Sequence, residues 1–333
     1  MAKCNLLVIL DEPQRVYFPG EEIRGKVQVE TDSECRCKSL DVVFEASTSG
    51  KGNRATITLD KSQEFVGTWF GQAQHNYPFS FRVPPDARPY HGTLLNVNYQ
   101  VHARADIPWA IDPKDNATVN IAYPNDTTMD YGWDEEKVKK NASPGCFYAV
   151  LAVFLFSVAV LVFGMSEEPG ILAPTLMFSV FTGIVAIFLG RGWMATKRLG
   201  SVELGFQMGT GGGYRVAEDK DAFFVIVKLA SASSVTAITS ELKVMERVVR
   251  GSGSNRRTYT HPLFESNVTL EKVEDGLYRG RIILPVEGEC PPSITFRDNR
   301  VVWEVLTRVD IPNWPDWTKR VDLDASPKTR ARA

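Results

Sequence analysis

Two apolar runs in the middle of the chain constrain its folding more than any other feature. The stretch 146–189 reads CFYAVLAVFLFSVAVLVFG and then GILAPTLMFSVFTGIVAIFLG, interrupted only by Met165, Ser166, Glu167, Glu168 and Pro169. Each run is about 19 residues without a charge, and a helix of that length covers about 30 Å, the depth of bilayer hydrocarbon. The expectation is a two-helix transmembrane hairpin over 145–190. A pair of buried core helices is the competing reading, but such helices keep a polar stripe and neither run shows one. Pro174 sits where a first helical turn tolerates it, and Gly183 offers a close-packing point against the first helix. Lys137, Lys139 and Lys140 precede the pair and Arg191, Lys197 and Arg198 follow it, while the turn carries only Glu167 and Glu168. This asymmetry predicts a two-span integral membrane protein with both termini cytoplasmic, and makes the lipid bilayer a partner through 145–190. Tyr148 and Trp193 fall where interfacial aromatics are expected.

The 333 residues leave about 140 on each side of the pair, one ordinary domain apiece. Segment 5–10 is too short for a signal peptide and reads as a first strand. From there to residue 122, strand signals recur about every ten residues with no amphipathic helix between them, the pattern of a β-sandwich. The clearest is 95–107, with Val97, Tyr99, Val101 and Ala103 on one face and Asn98, Gln100, His102 and Arg104 on the other. Beyond the second run, alternating segments at 200–208, 223–229, 237–249, 277–284 and 300–311 predict a second sandwich, with a glycine cluster at 209–213 breaking the first of them. The domains expected are therefore 1–124, a sandwich; 125–144, a polar linker; 145–190, the hairpin; 191–324, a second sandwich; and 325–333, a tail.

The two flanks repeat one another. Aligning NVNYQVHARADIPW (96–109) with RVVWEVLTRVDIPN (300–313) places Tyr99 on Trp303, Val101 on Val305, Arg104 on Arg308, Asp106 on Asp310, Ile107 on Ile311 and Pro108 on Pro312. The same Arg-x-Asp-Ile-Pro string at the same place in two β domains points to duplication. Arg104 and Asp106, like Arg308 and Asp310, lie two apart and share a strand face, so the expected role is a structural charge pair fixing each strand end, with the following proline stiffening the exit turn. A charged cluster that senses a ligand is the functional alternative.

Val16-Tyr17-Phe18-Pro19-Gly20-Glu21-Glu22-Ile23-Arg24-Gly25-Lys26-Val27 resembles the strand-turn-strand string of the arrestin superfamily, most nearly its α-arrestin-like branch. Pro19, Gly20, Glu21, Ile23, Gly25 and Val27 carry the match, and Val83-Pro84, His91-Gly92 and the Tyr99-x-Val101-x-Ala103 strand are similar to later pieces of that family's amino domain. The resemblance implies an all-β protein of two immunoglobulin-like arrestin-type sandwiches, here joined by a two-helix transmembrane hairpin that soluble arrestins lack. No Pro-Pro-x-Tyr motif is present, so ubiquitin-ligase recruitment is not implied. The phosphate-sensing lysines and buried charged core of receptor-binding arrestins have no residue-by-residue counterpart here.

Chemistry-bearing motifs are absent from the sequence. There is no Gly-x-Ser-x-Gly elbow, Walker loop, dinucleotide fingerprint or His-Glu-x-x-His helix, and only four His. Five Cys form an odd set, which fits reduced thiols better than a disulfide framework, and Cys35-Arg36-Cys37 is half a metal site without a second pair. A formal net charge of −2 with dispersed Lys and Arg disfavours nucleic acid. Four glycosylation acceptor patterns, at Asn116, Asn125, Asn141 and Asn267, stay unused if the flanks are cytoplasmic. The expectation is a membrane-anchored, non-catalytic adaptor or scaffold that binds a protein partner, itself a candidate membrane protein, with no cofactor, no metal and no nucleic acid. A membrane-bound hydrolase or carbohydrate-binding protein using sandwich loops, for instance through Asp112 with Asp115, is the alternative.

Overall fold

The computed structural model describes residues 4–124, 127–139, 145–164, 172–208, 223–231, 235–285 and 289–328. The first sandwich contains β1 (Cys4–Leu10), β2 (Val16–Tyr17), β3 (Glu22–Thr31), β4 (Cys35–Gly50) and β5 (Thr56–Trp69). It continues through β6 (Ala73–Arg82), β7 (Tyr90–His91), β8 (Leu95–Asp106) and β9 (Lys114–Ile121). Then come β10 (Thr128–Trp133), α1 (Glu135–Lys139), α2 (Gly145–Gly164) and α3 (Leu172–Leu199). The second set is β11 (Val202–Met208), β12 (Phe223–Leu229), β13 (Ala237–Arg250), β14 (Arg257–Thr269) and β15 (Glu271–Glu274). It closes with β16 (Leu277–Ile282), β17 (Ile294–Thr295), β18 (Asn299–Asp310) and β19 (Trp317–Lys328).

Each half is a sandwich of one narrow and one broad sheet. In the first, β1-β3-β6 faces β2-β9-β8-β4-β5, with β7 on β8. In the second, β11-β12-β16-β15 faces β10-β19-β18-β13-β14, with β17 on β18. Pairing is antiparallel apart from β2 with β9. The architecture is thus the mostly-β double sandwich that the strand spacing predicts.

Period-two patterning explains the cores, since alternate side chains of a strand point to opposite faces. Along β8, Leu95, Val97, Tyr99, Val101, Ala103 and Ala105 are all buried. Along β3, Ile23, Val27 and Val29 are buried, and a Cβ on Gly25 would collide with the Ile9 carbonyl and the Phe79 ring. The family-like string therefore has local reasons at Gly20, Glu21, Ile23, Gly25 and Val27. Gly20 adopts φ +89, a left-handed value that glycine takes without strain, and Glu21 closes the turn by accepting from the Phe18 N–H at 2.9 Å.

Two expectations are corrected here. The stretch 125–144 is not all linker: β10 pairs with β19 from Thr128↔Lys328 to Trp133↔Leu323, which puts it in the second sandwich and carries β19 past residue 324. The second correction concerns the membrane. The two apolar runs do form helices, α2 and α3, that pack on one another. Among the described residues, however, no helix is long and apolar enough to cross a membrane, which overturns the expected two-span integral protein with both termini cytoplasmic. Small polar side chains lie within the pair: Ser157, Ser179 and Thr182 are buried, and Ser179 Oγ donates to Ser157 Oγ at 3.0 Å across it. Gly183 meets Phe154 of α2, where a Cβ would lie 2.9 Å from the ring. At its far end α3 buries Ala195 and Leu199 in the sandwich core and extends Arg198 over the Trp314 ring at 5.9 Å. The turn 165–169 and the glycine cluster 209–213 lie outside the described residues.

Candidate functional site

The repeated strand ends are built alike. After β8, Pro108 and Trp109 (φ 63) make a tight turn closed by Ala110 N–H to Ile107 O at 3.3 Å. After β18, Pro312 and Asn313 (φ 60) do the same, with Trp314 N–H to Ile311 O at 3.1 Å. Arg104 Nε donates to Asp112 Oδ2 at 3.0 Å, while Asp112 Oδ1 accepts from Ile107 N–H at 3.2 Å. Arg308 Nη2 reaches Asp316 Oδ2 at 2.5 Å, and Asp316 Oδ1 accepts from Ile311 N–H at 3.3 Å. Arg308 also holds Asp310 at 2.8 Å, whereas Asp106 faces Lys38 at 3.5 Å. Each arginine is therefore tied to a carboxylate eight residues on, across the turn. The Arg104 guanidinium holds the Asp112 carboxyl below its ordinary range. Asp115 accepts from the Val8 N–H at 2.8 Å, so both carboxylates of the hydrolase alternative are occupied in holding backbone.

Cys4 of β1 stands beside Cys35 and Cys37 of β4, a neighbour that sequence spacing did not reveal. Burial pushes the Cys37 thiol up to about 11 and Cys4 to about 12, so the sulfurs are poor nucleophiles at neutral pH. Among the described residues no group of three or more His, Cys, Asp or Glu is placed to hold a metal ion.

The densest long-range polar chemistry lies at the seam between the two sandwiches. Along β13, Ile238, Ser240, Leu242, Val244, Glu246 and Val248 all fall on the buried face. Glu246 is 0% exposed, and its partners come from the other sandwich. Tyr90 Oη donates to Glu246 Oε1 at 3.0 Å, Leu94 N–H to Oε2 at 2.9 Å and Leu95 N–H to Oε1 at 3.3 Å. A buried carboxyl group costs several kcal/mol unless donors surround it, and here the β7–β8 hairpin supplies three. A Cβ at Gly92 would overlap Glu246 Oε1 and the Tyr90 ring, so the loop needs glycine there to approach.

Two further groups of contacts extend the seam. Asn53 donates to Gly251 O at 3.0 Å and accepts from Gly251 N–H at 3.0 Å, while Asn299 Nδ2 donates to Thr48 Oγ1 at 2.8 Å and to Asn53 O at 2.6 Å. Arg88 donates to Ser293 O and, at 3.2 Å, to Ser326 Oγ, with Asp324 at 3.5 Å. The repeat and the family-like string gave no hint of these residues. One signal for Glu246 was present, because the alternation of 237–249 places a carboxyl group at a core position.

Outside the seam, large apolar side chains are exposed at several places, among them Phe70 and Ile283, and two of these places stand out. Trp109 and Ile111, at the tip of the first sandwich, are 98% and 96% exposed. On the helical pair, Leu155 and Phe156 of α2 and Met177, Phe178, Val180 and Phe181 of α3 are all more than half exposed.

Fold and seam together define a protein of two duplicated β-sandwiches, latched by polar contacts and carrying a helical hairpin. No protein-family model matches the chain, and no curated protein matches it. Among solved structures, the sporulation control protein Spo0M from Bacillus subtilis is similar at 13% identity over 96% of this chain and 90% of that one, with a TM-score of 0.31. The alkylpurine DNA glycosylase AlkC from Pseudomonas fluorescens, bound to DNA containing an abasic site analog, is similar at 12% identity over 37% of this chain and 31% of that one, with a TM-score of 0.23. At such scores the architecture rests on the strand pairing described above.

Proposed function

We propose that the chain is a non-catalytic, arrestin-like adaptor whose latched sandwiches present the α2–α3 hairpin to a protein partner. The observation that supports this most is the run of exposed side chains on the hairpin, where Phe156 is 72%, Met177 76% and Phe181 64% exposed. Contiguous apolar surface of this kind mostly marks an interaction site, because leaving it in water forgoes about 25 cal/mol per Å². The sandwiches contribute rigidity: three hydrogen bonds to Glu246 and the Asn53 and Arg88 contacts fix them as one frame. Arg104, Arg308 and their carboxylate partners hold turns rather than substrates in this reading.

A photo-reactive amino acid at Phe156 or Met177 tests it in cells. The expected result is one or a few discrete protein adducts that disappear when Phe181 is changed to Gln in the same chain. Adducts to lipid alone, or an even smear of proteins insensitive to Phe181→Gln, would overturn the protein-docking role.

A further inference from the structure

A cleft of about 930 Å³ opens at the seam, with walls from both sandwiches. Pro89, Tyr90 and Tyr123 come from the first, and Met129, Leu263 and Cys290 from the second. We propose that this cleft is a binding site for an uncharged, mainly apolar small molecule of fused-ring or biaryl size that carries a hydroxyl or carbonyl.

Four features of the cleft define that ligand. Its volume falls within the ~300–1,000 Å³ of ordinary small-molecule sites. Five wall residues are proline, among them Pro291 and Pro292. Proline has no N–H and a fixed φ, so these walls are stiff, apolar and poor in donors; they suit flat rings and offer little to a phosphate or carboxylate. Among the described residues no lysine or arginine lines the cleft, whereas Glu289 does, which disfavours an anion. Finally, Tyr123 Oη and Thr127 Oγ1 belong to residues lining the cleft, and both hydroxyls are buried without a hydrogen-bond partner among the described residues. Two such orphans in one wall are unusual, since buried polar atoms are nearly always paired. A ligand hydroxyl or carbonyl reached by a modest side-chain rotation would relieve them.

Tyr90 lines the cleft and also donates to Glu246, so occupancy would act on the seam. A molecule touching both sandwiches binds best when they are latched, and by linkage it strengthens the latch.

The test uses the full chain with 2-naphthol, 4-phenylphenol and indole as probes, in titration calorimetry. In parallel, peptide mass spectrometry follows N-ethylmaleimide alkylation of Cys290, which is buried in the cleft wall. Expected are saturable binding by at least one probe and a slowing of Cys290 alkylation that tracks saturation. Leu263→Trp, which fills the cleft, should weaken binding about tenfold or more, as should the smaller intrusion Leu263→Phe if the larger variant folds poorly. Tyr123→Phe should weaken the hydroxylated probes more than indole. No saturable binding by any probe, or binding indifferent to both Leu263 variants and without Cys290 protection, would overturn the proposal. The hairpin adducts at Phe156 do not depend on this cleft, so the two readings fail separately.

Discussion

Replacing Glu246 by alanine removes the acceptor of three cross-sandwich donors at once. Tyr90 Oη, Leu94 N–H and Leu95 N–H, now at 3.0, 2.9 and 3.3 Å from carboxyl oxygens, would be left facing a small void. Stranding a buried donor costs about 1–3 kcal/mol, so a closed seam would lose some 3–9 kcal/mol. Opening the β7–β8 loop to water caps that loss, and the expected value is about 3–5 kcal/mol, the range for breaking one side of a buried polar network. Glu246→Gln keeps one acceptor oxygen and should cost about 1–2 kcal/mol. The loss belongs to the seam and not to either core, because Val244 and Val248 on the same face of β13 are untouched. Native-state hydrogen exchange should therefore show the Leu94 and Leu95 amides exchanging about a hundredfold or more faster, with β3 and β12 unchanged. Urea unfolding should separate into two transitions. In the Glu246→Ala background, Tyr90→Phe should cost almost nothing, which a double-mutant cycle reads directly. An alanine variant within about 1 kcal/mol of the parent, with Leu94 and Leu95 still protected, would refute the reasoning, since the donors would then have found other partners within a closed seam.

Other outcomes follow from the same geometry. Gly92→Ala pushes a methyl into Glu246 Oε1 and the Tyr90 ring, and should lower the melting temperature by an amount matching about 1–3 kcal/mol, measured by calorimetry. Asp112, held down by the Arg104 bond, should titrate below 3.8 in NMR; its turn is favoured above that pH and loses the bond as pH falls through the folded value, so a midpoint at or above 3.8 contradicts the pairing. Burial raises Cys37 and Cys290 from 9.0 to about 11, so their contribution to stability is complete below pH 9 and is lost as pH rises through about 11. Both thiols should accordingly react with iodoacetamide far more slowly at pH 8 than free cysteine does, and rates equal to free cysteine would show them exposed.

How much was legible in the sequence depended on how local the cause was. Alternation along 95–107 announced β8 because burial on one strand face is written residue by residue. The Pro19-Gly20-Glu21 turn was legible for the same reason. The repeat placed Arg104 opposite Arg308, but the carboxylates they reach, Asp112 and Asp316, lie across a turn whose shape depends on left-handed residues at Trp109 and Asn313, which carry no glycine signature. The seam was hidden because its partners are 150 or more residues apart, Glu246 with Tyr90 and Asn299 with Thr48. Hydropathy, run length and flanking charge together did not announce how α2 and α3 pack on one another. Ser157, Ser179 and Thr182 are single small polar residues in long apolar strings, and only packing shows that they line up along one helix–helix face.

The pairing of β10 with β19 changes what the hairpin is attached to. The chain enters α1 and α2 from a strand zipped into the second sandwich and leaves α3 into β11 of that same sandwich. The hairpin is in effect an overgrown loop of one domain, not a cable strung between two. A load on its tip is borne by β10 and by the buried end of α3, and reaches the first sandwich along the chain from β9 to β10 and across the polar contacts of Glu246, Asn53, Asn299 and Arg88. The stiffness of those few polar contacts decides whether the molecule answers a pull as one lever or as two bodies on a hinge.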